Sequence, residues 1–122
     1  MTINMDEIVL INKNIKVDDL KKIASKRHGD LIKAVVDVEK GIIAIGGEMH
    51  ADEEQFLLGN GSKQQNLWGI NIYPDLGIKE WIEFDSMINI RPKQNNCSRT
   101  IEDETLQNKI KEIVSSLVER QD

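Results

Sequence analysis

The sequence predicts an α+β domain in which about five strands form one mixed or antiparallel sheet with helices on one face. Three observations support this class. Short apolar runs alternate in the manner of strands, amphipathic stretches carry helix-end signals, and short turns join neighbouring strands. The order is β-α-β-β-α-β-β-α, and 122 residues suit a single domain spanning residues 1–122. The predicted strands are 8–11, 31–39, 42–45, 67–73 and 81–91, and the predicted helices are 17–28, 52–58 and about 102–118.

The elements of the first half follow from local signals. Residues 8–11 are an apolar run typical of a buried strand. The first helix has acidic residues in its first turn, where the helix dipole favours them, and Gly29 at its end. Lys40-Gly41 is a short connection that predicts an antiparallel hairpin between the next two strands. Asp52 is expected to cap the short second helix.

The elements of the second half are delimited by prolines and a capping signal. Pro74 and Pro92 end the two later strands, since proline cannot donate to a sheet. Thr100 and Asp103 form a predicted capping box for the last helix. Its apolar residues then recur at helical spacing: Leu106, Ile110, Ile113, Val114 and Leu117.

Strand alternation predicts a sheet with one polar face. Residues at successive positions of a strand point to opposite faces, so apolar and polar side chains separate. The polar set is Lys33, Asp37, Asn71, Tyr73, Trp81, Glu83, Asp85, Met87, Asn89 and Arg91. This face is either solvated, as is common in antiparallel sheets, or a ligand surface or homodimer interface. The large side chains of Tyr73, Trp81 and Met87 favour an interface.

The loop at residues 91–100 predicts a site for a small anion such as phosphate or carboxylate. It contains three cations and leads into a helix start, whose free amides attract negative charge. We expect the anion to be held by Asn89, Arg91, Ser98 and Arg99, with Tyr73 and Trp81 as flat contacts. The protein would then be a ligand-binding or protein-interaction module. Alternatively, the arginines pair with acids such as Asp85 or Asp103 and the loop is structural.

A second hypothesis is a metal-assisted hydrolase or phosphoryl-processing enzyme. Glu48, His50 and Asp52 alternate along the chain, and Asp85 is a further carboxylate that could hold an ion. Asp52 also has the competing role of a helix cap, and one histidine is a weak zinc signal. We therefore expect no tightly bound metal and no cofactor.

Charge and composition restrict the partners and the compartment. The net charge of −5 and the isoelectric point near 5.1 disfavour nucleic acid as a partner. Cys97 is the only cysteine, which excludes an internal disulfide. The first ten residues have neither the charge pattern of a signal peptide nor the length of a membrane anchor. We therefore expect a cytoplasmic protein with no membrane contact.

Three blocks of the sequence resemble a small family of uncharacterised prokaryotic proteins. They are residues 46–54 (GGEMHADEE), 67–74 (LWGINIYP) and 84–92 (FDSMINIRP). The resemblance extends over nearly the whole chain and implies a compact single domain. It implies no activity, substrate or catalytic residue, and Cys97 lies outside its pattern.

Overall fold

The computed structural model describes residues 8–120 and confirms the α+β class, with three helices and a five-stranded antiparallel sheet. The strands of this sheet are β1 (Val9–Ile11), β3 (Ile32–Asp37), β4 (Ile42–Ile45), β5 (Leu67–Ile72) and β6 (Ile82–Glu83). The helices are α1 (Val17–Arg27), α2 (His50–Gly59) and α3 (Glu104–Leu117). Two short strands, β2 (Ile15–Lys16) and β7 (Val118–Glu119), pair in parallel outside this sheet.

The sheet has the strand order β1-β4-β3-β5-β6, with every neighbouring pair antiparallel. The predicted hairpin connects β3 to β4. Its turn depends on Asp37, whose Oδ1 accepts hydrogen bonds from the backbone amides of Glu39 and Lys40 at 2.9 Å. Gly41 completes it at φ 66°, a left-handed conformation that favours glycine. The hairpin pairs β3 with β4, and the further pairing of β3 with β5 puts β3 at the centre of the sheet.

One face of the sheet packs against α1 and α3. Helix α1 buries Leu20 and Ala24, and α3 buries Ile110 and Val114, both pairs being four residues apart and therefore on one helical face. The alternate residues of the central strands meet them, among them Ile32, Ala34, Val36, Ile43, Ile45, Trp68, Ile70 and Ile72. The main core therefore lies between this face and the two longer helices.

The expectation that all helices lie on one face is wrong for α2. Leu57 of α2 packs against Val35, Ala44 and Leu67, which point to the opposite face. All six residues of β5 are buried, and Val35 has no exposed surface. A sheet whose central strands are apolar on both sides must be covered on both sides. Helix α2 provides that second cover.

The predicted long strand at 81–91 is interrupted after two residues, since only Ile82–Glu83 pairs as β6. The next residues approach β5 closely: a Cβ added at Gly69 would lie 2.6 Å from Ser86 Cβ. Beyond this point the carboxamide of Asn89 replaces a strand. Its Oδ1 accepts from the Gly69 amide, and its Nδ2 donates to the Gly69 carbonyl, both at 2.9 Å. A side chain thus satisfies the backbone that β6 leaves unpaired.

Helix α3 begins with a different cap from the predicted one. Asp103 is its N-cap residue, and its Oδ1 accepts from the backbone amide of Thr105 at 2.9 Å. Thr100 instead forms an isolated antiparallel bridge with Asp85. The helix therefore starts at Glu104, two residues later than predicted.

Candidate functional site

Arg91, the first arginine of the predicted anion loop, is a structural residue. Its guanidinium lies 4.5 Å from the centre of the Trp68 ring and forms an ion pair of 3.4 Å with Glu54. Further hydrogen bonds join it to Gln64, Leu67, Ile88 and Gln94. With its donors engaged in this way, Arg91 ties the 91–100 loop to β5 and α2 and has no donor left for an external anion.

The other end of the loop binds a carboxylate that belongs to the chain itself. Ser98 Oγ donates to Glu102 Oε2 at 2.6 Å, and the amides of Cys97 and Ser98 donate to the same oxygen. These donors, the Ser98 hydroxyl foremost, lower the pKa of the Glu102 carboxyl. The chemistry of the loop is therefore that of an anion site, but Glu102 occupies it.

Arg99 differs from Arg91 because its side chain is exposed and has one partner among residues 8–120. Its Nε and Nη2 donate to the two carboxylate oxygens of Asp85, at 2.9 and 3.3 Å. The two arginines therefore engage separate groups and do not form the joint anion site that the sequence predicted. Exposed ion pairs contribute little to stability, so Arg99 can turn toward another anion at small cost.

The remaining predicted site residues are dispersed. Asn89 is fully buried and engaged with Gly69. Trp81 is only 1% exposed and belongs to the core on the α1 and α3 side, with the Arg120 guanidinium 4.6 Å from its ring centre. It offers no ligand surface, because the strand alternation used to assign its face begins only after it. Tyr73 is half-buried, and its hydroxyl donates to Glu83 at 3.2 Å.

The three side chains of the alternative metal site do not converge. His50 is buried, and its Nε2 donates to the carbonyl of Ile70 at 2.8 Å. Burial lowers the pKa of His50 and outweighs that hydrogen bond, so the ring is neutral near pH 7. Asp52 accepts from the Met49 amide at 3.1 Å, as a cap, while Glu48 is exposed. Among residues 8–120, no three His, Cys, Asp or Glu side chains are arranged to hold an ion.

A cleft of about 160 Å³ opens where the start of α2 meets the polar end of the sheet. Strand register places Lys33 opposite Asn71 and Asn71 opposite Glu83, which makes a polar row across three strands. His50 contributes from the first turn of α2. Its polar lining is Lys33, His50, Asn71, Asp85, Ser86 and Arg99. The predicted polar face therefore becomes a concave site at this end.

The cleft is positively charged although the whole protein is acidic. Its two cations, Lys33 and Arg99, outnumber its one carboxylate, Asp85, which Arg99 already binds. Within residues 8–120, the Lys33 ammonium has neither a hydrogen bond nor an ion pair. Glu53 lies near enough for the Lys33 charge to act on it, but burial raises the pKa of its carboxyl well above the ordinary value. Burial therefore favours the neutral form of Glu53, which weakens its attraction for Lys33.

Asn71 adds an unused acceptor to the lining of the cleft. Its side chain is held by two hydrogen bonds from Nδ2, to Glu83 Oε1 at 2.8 Å and to the Asp85 carbonyl at 3.2 Å. Both partners accept, so they fix which end of the amide is nitrogen. Asn71 is only 7% exposed, and its Oδ1 has no hydrogen bond of normal geometry in the described part of the chain, although the Asn71 side chain also interacts with the His50 ring. A buried unpaired oxygen is costly, and a bound ligand or water would relieve it.

Lys33 and Asn71 were assigned to the polar face from the sequence but not to a site. The available signal was a lone cation in the segment Leu31 to Val38, which is apolar apart from Lys33 and Asp37. Their proximity depends on the pairing of β3 with β5, which are separated by α2 in the chain. The sequence contains no local signal for that register.

No helix between residues 8 and 120 is long and apolar enough to cross a membrane.

Comparison with known proteins identifies the family of this chain. No curated protein and no solved structure matches the chain. Residues 9–117 match the family model described as Protein of unknown function (DUF5674). Because this match covers nearly all of the 122 residues, the chain belongs to the DUF5674 family.

Proposed function

We propose that this protein is a small-molecule-binding module that holds an anionic ligand in the cleft at the start of α2. The observation that carries the proposal is the unpaired Lys33 ammonium in a concave site with an excess of positive charge. The site replaces the one expected at the 91–100 loop, where Arg91 and Ser98 already have partners. Of the residues predicted for the anion site, Arg99 also lines the cleft, as do His50 and Asp85 of the metal hypothesis.

The start of α2 supports an anionic ligand for a second reason. The first amides of a helix have no acceptor within the helix, and its N-terminus carries partial positive charge. Met49, His50 and Ala51, which form this start, all line the cleft. A phosphate or carboxylate there would accept from Lys33 and from the amides of His50 and Ala51, since the Met49 amide already donates to Asp52. The Oδ1 of Asn71, which has no hydrogen bond of normal geometry within residues 8–120, would in turn accept from a hydroxyl or amino group of the ligand, or from a bound water.

Calorimetric titration with inorganic phosphate and with acetate tests the proposal. We expect the Lys33→Met variant to bind about 10- to 100-fold more weakly than the native protein, because one charge-assisted contact contributes about 1.5–3 kcal/mol. Arg99→Ala should have a smaller effect, since Asp85 competes for that side chain. Affinity should also fall as salt rises, because salt screens the attraction.

Lys109→Met is the matched control, because Lys109 is an exposed lysine on α3, across the sheet from the cleft. It removes the same charge and should leave binding unchanged. The proposal fails if the native protein binds neither anion, or if Lys33→Met and Lys109→Met bind equally well.

Two finer expectations extend the proposal. A homodimer through the α2 face is a second use of the same surface, favoured by Met87, which is 64% exposed. Trp81 no longer supports it, because that ring is in the core. Sedimentation equilibrium would test it. A cytoplasmic location and a prokaryotic origin stay predictions made from the sequence.

A further inference from the structure

The rim of the cleft is apolar on two opposite elements. Met49 precedes α2 and is 56% exposed, while Met87 belongs to the turn after β6 and is 64% exposed. Both side chains line the cleft that contains Lys33. Neither belongs to the two apolar clusters formed by the described residues, so neither methionine is needed to fill the core.

The size of the cleft limits what can enter it. Its volume of about 160 Å³ is smaller than the roughly 300–1,000 Å³ of pockets that enclose whole drug-sized ligands. A phosphate or carboxylate group fits beside Lys33, whereas the remainder of a larger ligand would extend outward. That remainder would then lie against Met49 and Met87.

Exposed methionines at this position favour an apolar body, and a ring in particular. The thioether is flexible and polarizable, and sulfur makes favourable contacts with aromatic rings. Ile88 adds a half-buried aliphatic surface to the same lining. The cleft therefore combines a cationic floor with an apolar rim.

We propose that the ligand of this cleft is an aryl or acyl anion: one phosphate or carboxylate group attached to a ring or a short apolar chain. This inference rests on the proposed function, because the anionic group must first bind at Lys33. Lys33 would provide most of the charge recognition, and Met49 and Met87 would discriminate between such a ligand and a bare anion.

Two pairs of probes separate the contribution of the rim from that of the floor. Inorganic phosphate is compared with phenyl phosphate, and acetate with benzoate, by calorimetric titration of the native protein. We expect at least one aromatic probe to bind about tenfold more tightly than its bare partner, a ratio that corresponds to about 1.4 kcal/mol. The aromatic probe that binds more tightly identifies whether the head group is phosphate or carboxylate.

The Met49→Ser/Met87→Ser variant should reduce this ratio to about one while bare anions bind as before. Serine is a favourable residue at the N-cap position that Met49 occupies, so the start of α2 is retained. Leu76→Ser/Ile78→Ser is the matched control, since both residues are exposed apolar side chains on another loop. It should leave the ratio unchanged.

The possible failures are distinguishable. If bare and aromatic anions bind equally well and both depend on Lys33, this inference is wrong and the proposed function stands. A preference for the ring that survives the double methionine variant also overturns it, because the rim would not be its source. If no probe binds, both the inference and the proposed function fail.

Discussion

Removal of the Asn89 carboxamide should be one of the most destabilising single changes in this protein. Asn89 is fully buried, and its side chain satisfies both backbone groups of Gly69, with a third hydrogen bond to the Arg99 carbonyl at 3.1 Å. Asn89→Ala leaves the amide and carbonyl of Gly69 unpaired inside the protein. Each buried unsatisfied group costs about 1–3 kcal/mol, so we expect a loss of about 2–6 kcal/mol in the free energy of unfolding.

Urea denaturation followed by circular dichroism measures this loss. At a slope of about 2 kcal/mol per molar urea, a loss of 4 kcal/mol lowers the midpoint by about 2 M. Asn108→Ala, at an exposed position of α3, is the control and should change little. Asn89→Asp is a sharper test, because its buried carboxylate would face two carbonyl oxygens at neutral pH. Its stability should recover as the pH falls and the acid regains a proton that it can donate.

A loss below about 1 kcal/mol in Asn89→Ala would refute this reasoning. It would mean that water or a rearranged β6 satisfies Gly69 as well as the carboxamide does. If the stability of Asn89→Asp does not change with pH, the role of Asn89 as a buried partner of Gly69 is also contradicted, because the new carboxylate would then be solvated by water.

Two further predictions concern neighbouring close contacts and buried charge. Gly69→Ala should destabilise by about 1–3 kcal/mol in the same urea assay, since its Cβ would lie 2.6 Å from Ser86 Cβ; a neutral result would contradict the close packing. Glu53 should reduce native stability as pH rises above its ordinary pKa of 4.5, because the folded state keeps a proton that the unfolded state releases. The free energy of unfolding should depend less on pH in Glu53→Gln than in the native protein, whereas the exposed Glu104→Gln is the control and should keep the native dependence. Equal slopes of unfolding free energy against pH in all three proteins would contradict this prediction.

The fold was predictable from the sequence wherever a pattern is local. The hairpin of β3 and β4 required only a short turn with Gly41, and α1 required acids at one end and Gly29 after the other. Helix α2 was also placed correctly in the chain, but not on the correct face. Its face depends on Val35, whose burial on the second side follows from the position of β3 at the centre of the sheet.

The prediction was wrong where a side chain, and not a neighbouring strand, forms the hydrogen bonds of the backbone. Residues 81–91 alternate like a strand, yet Asn89 pairs with Gly69 through its carboxamide and Arg91 caps β5 through its guanidinium. Periodicity reports which side chains are apolar, but it does not report whether the hydrogen bonds of a strand come from a backbone or from an amide group. For the same reason both residues were interpreted as ligand contacts.

By itself the sequence determined the α+β class, the order of the main elements and the polar stripe that includes Lys33 and Asn71. Only the tertiary structure decided which polar residues are free to bind. Arg91 pairs with Glu54, which is distant in sequence, and Ser98 pairs with the nearby Glu102, while the Lys33 ammonium has no hydrogen bond or ion pair within residues 8–120. The physical reason is that a charged side chain is available to a ligand only when the fold places no opposite charge beside it, and that placement depends on strand register and helix packing.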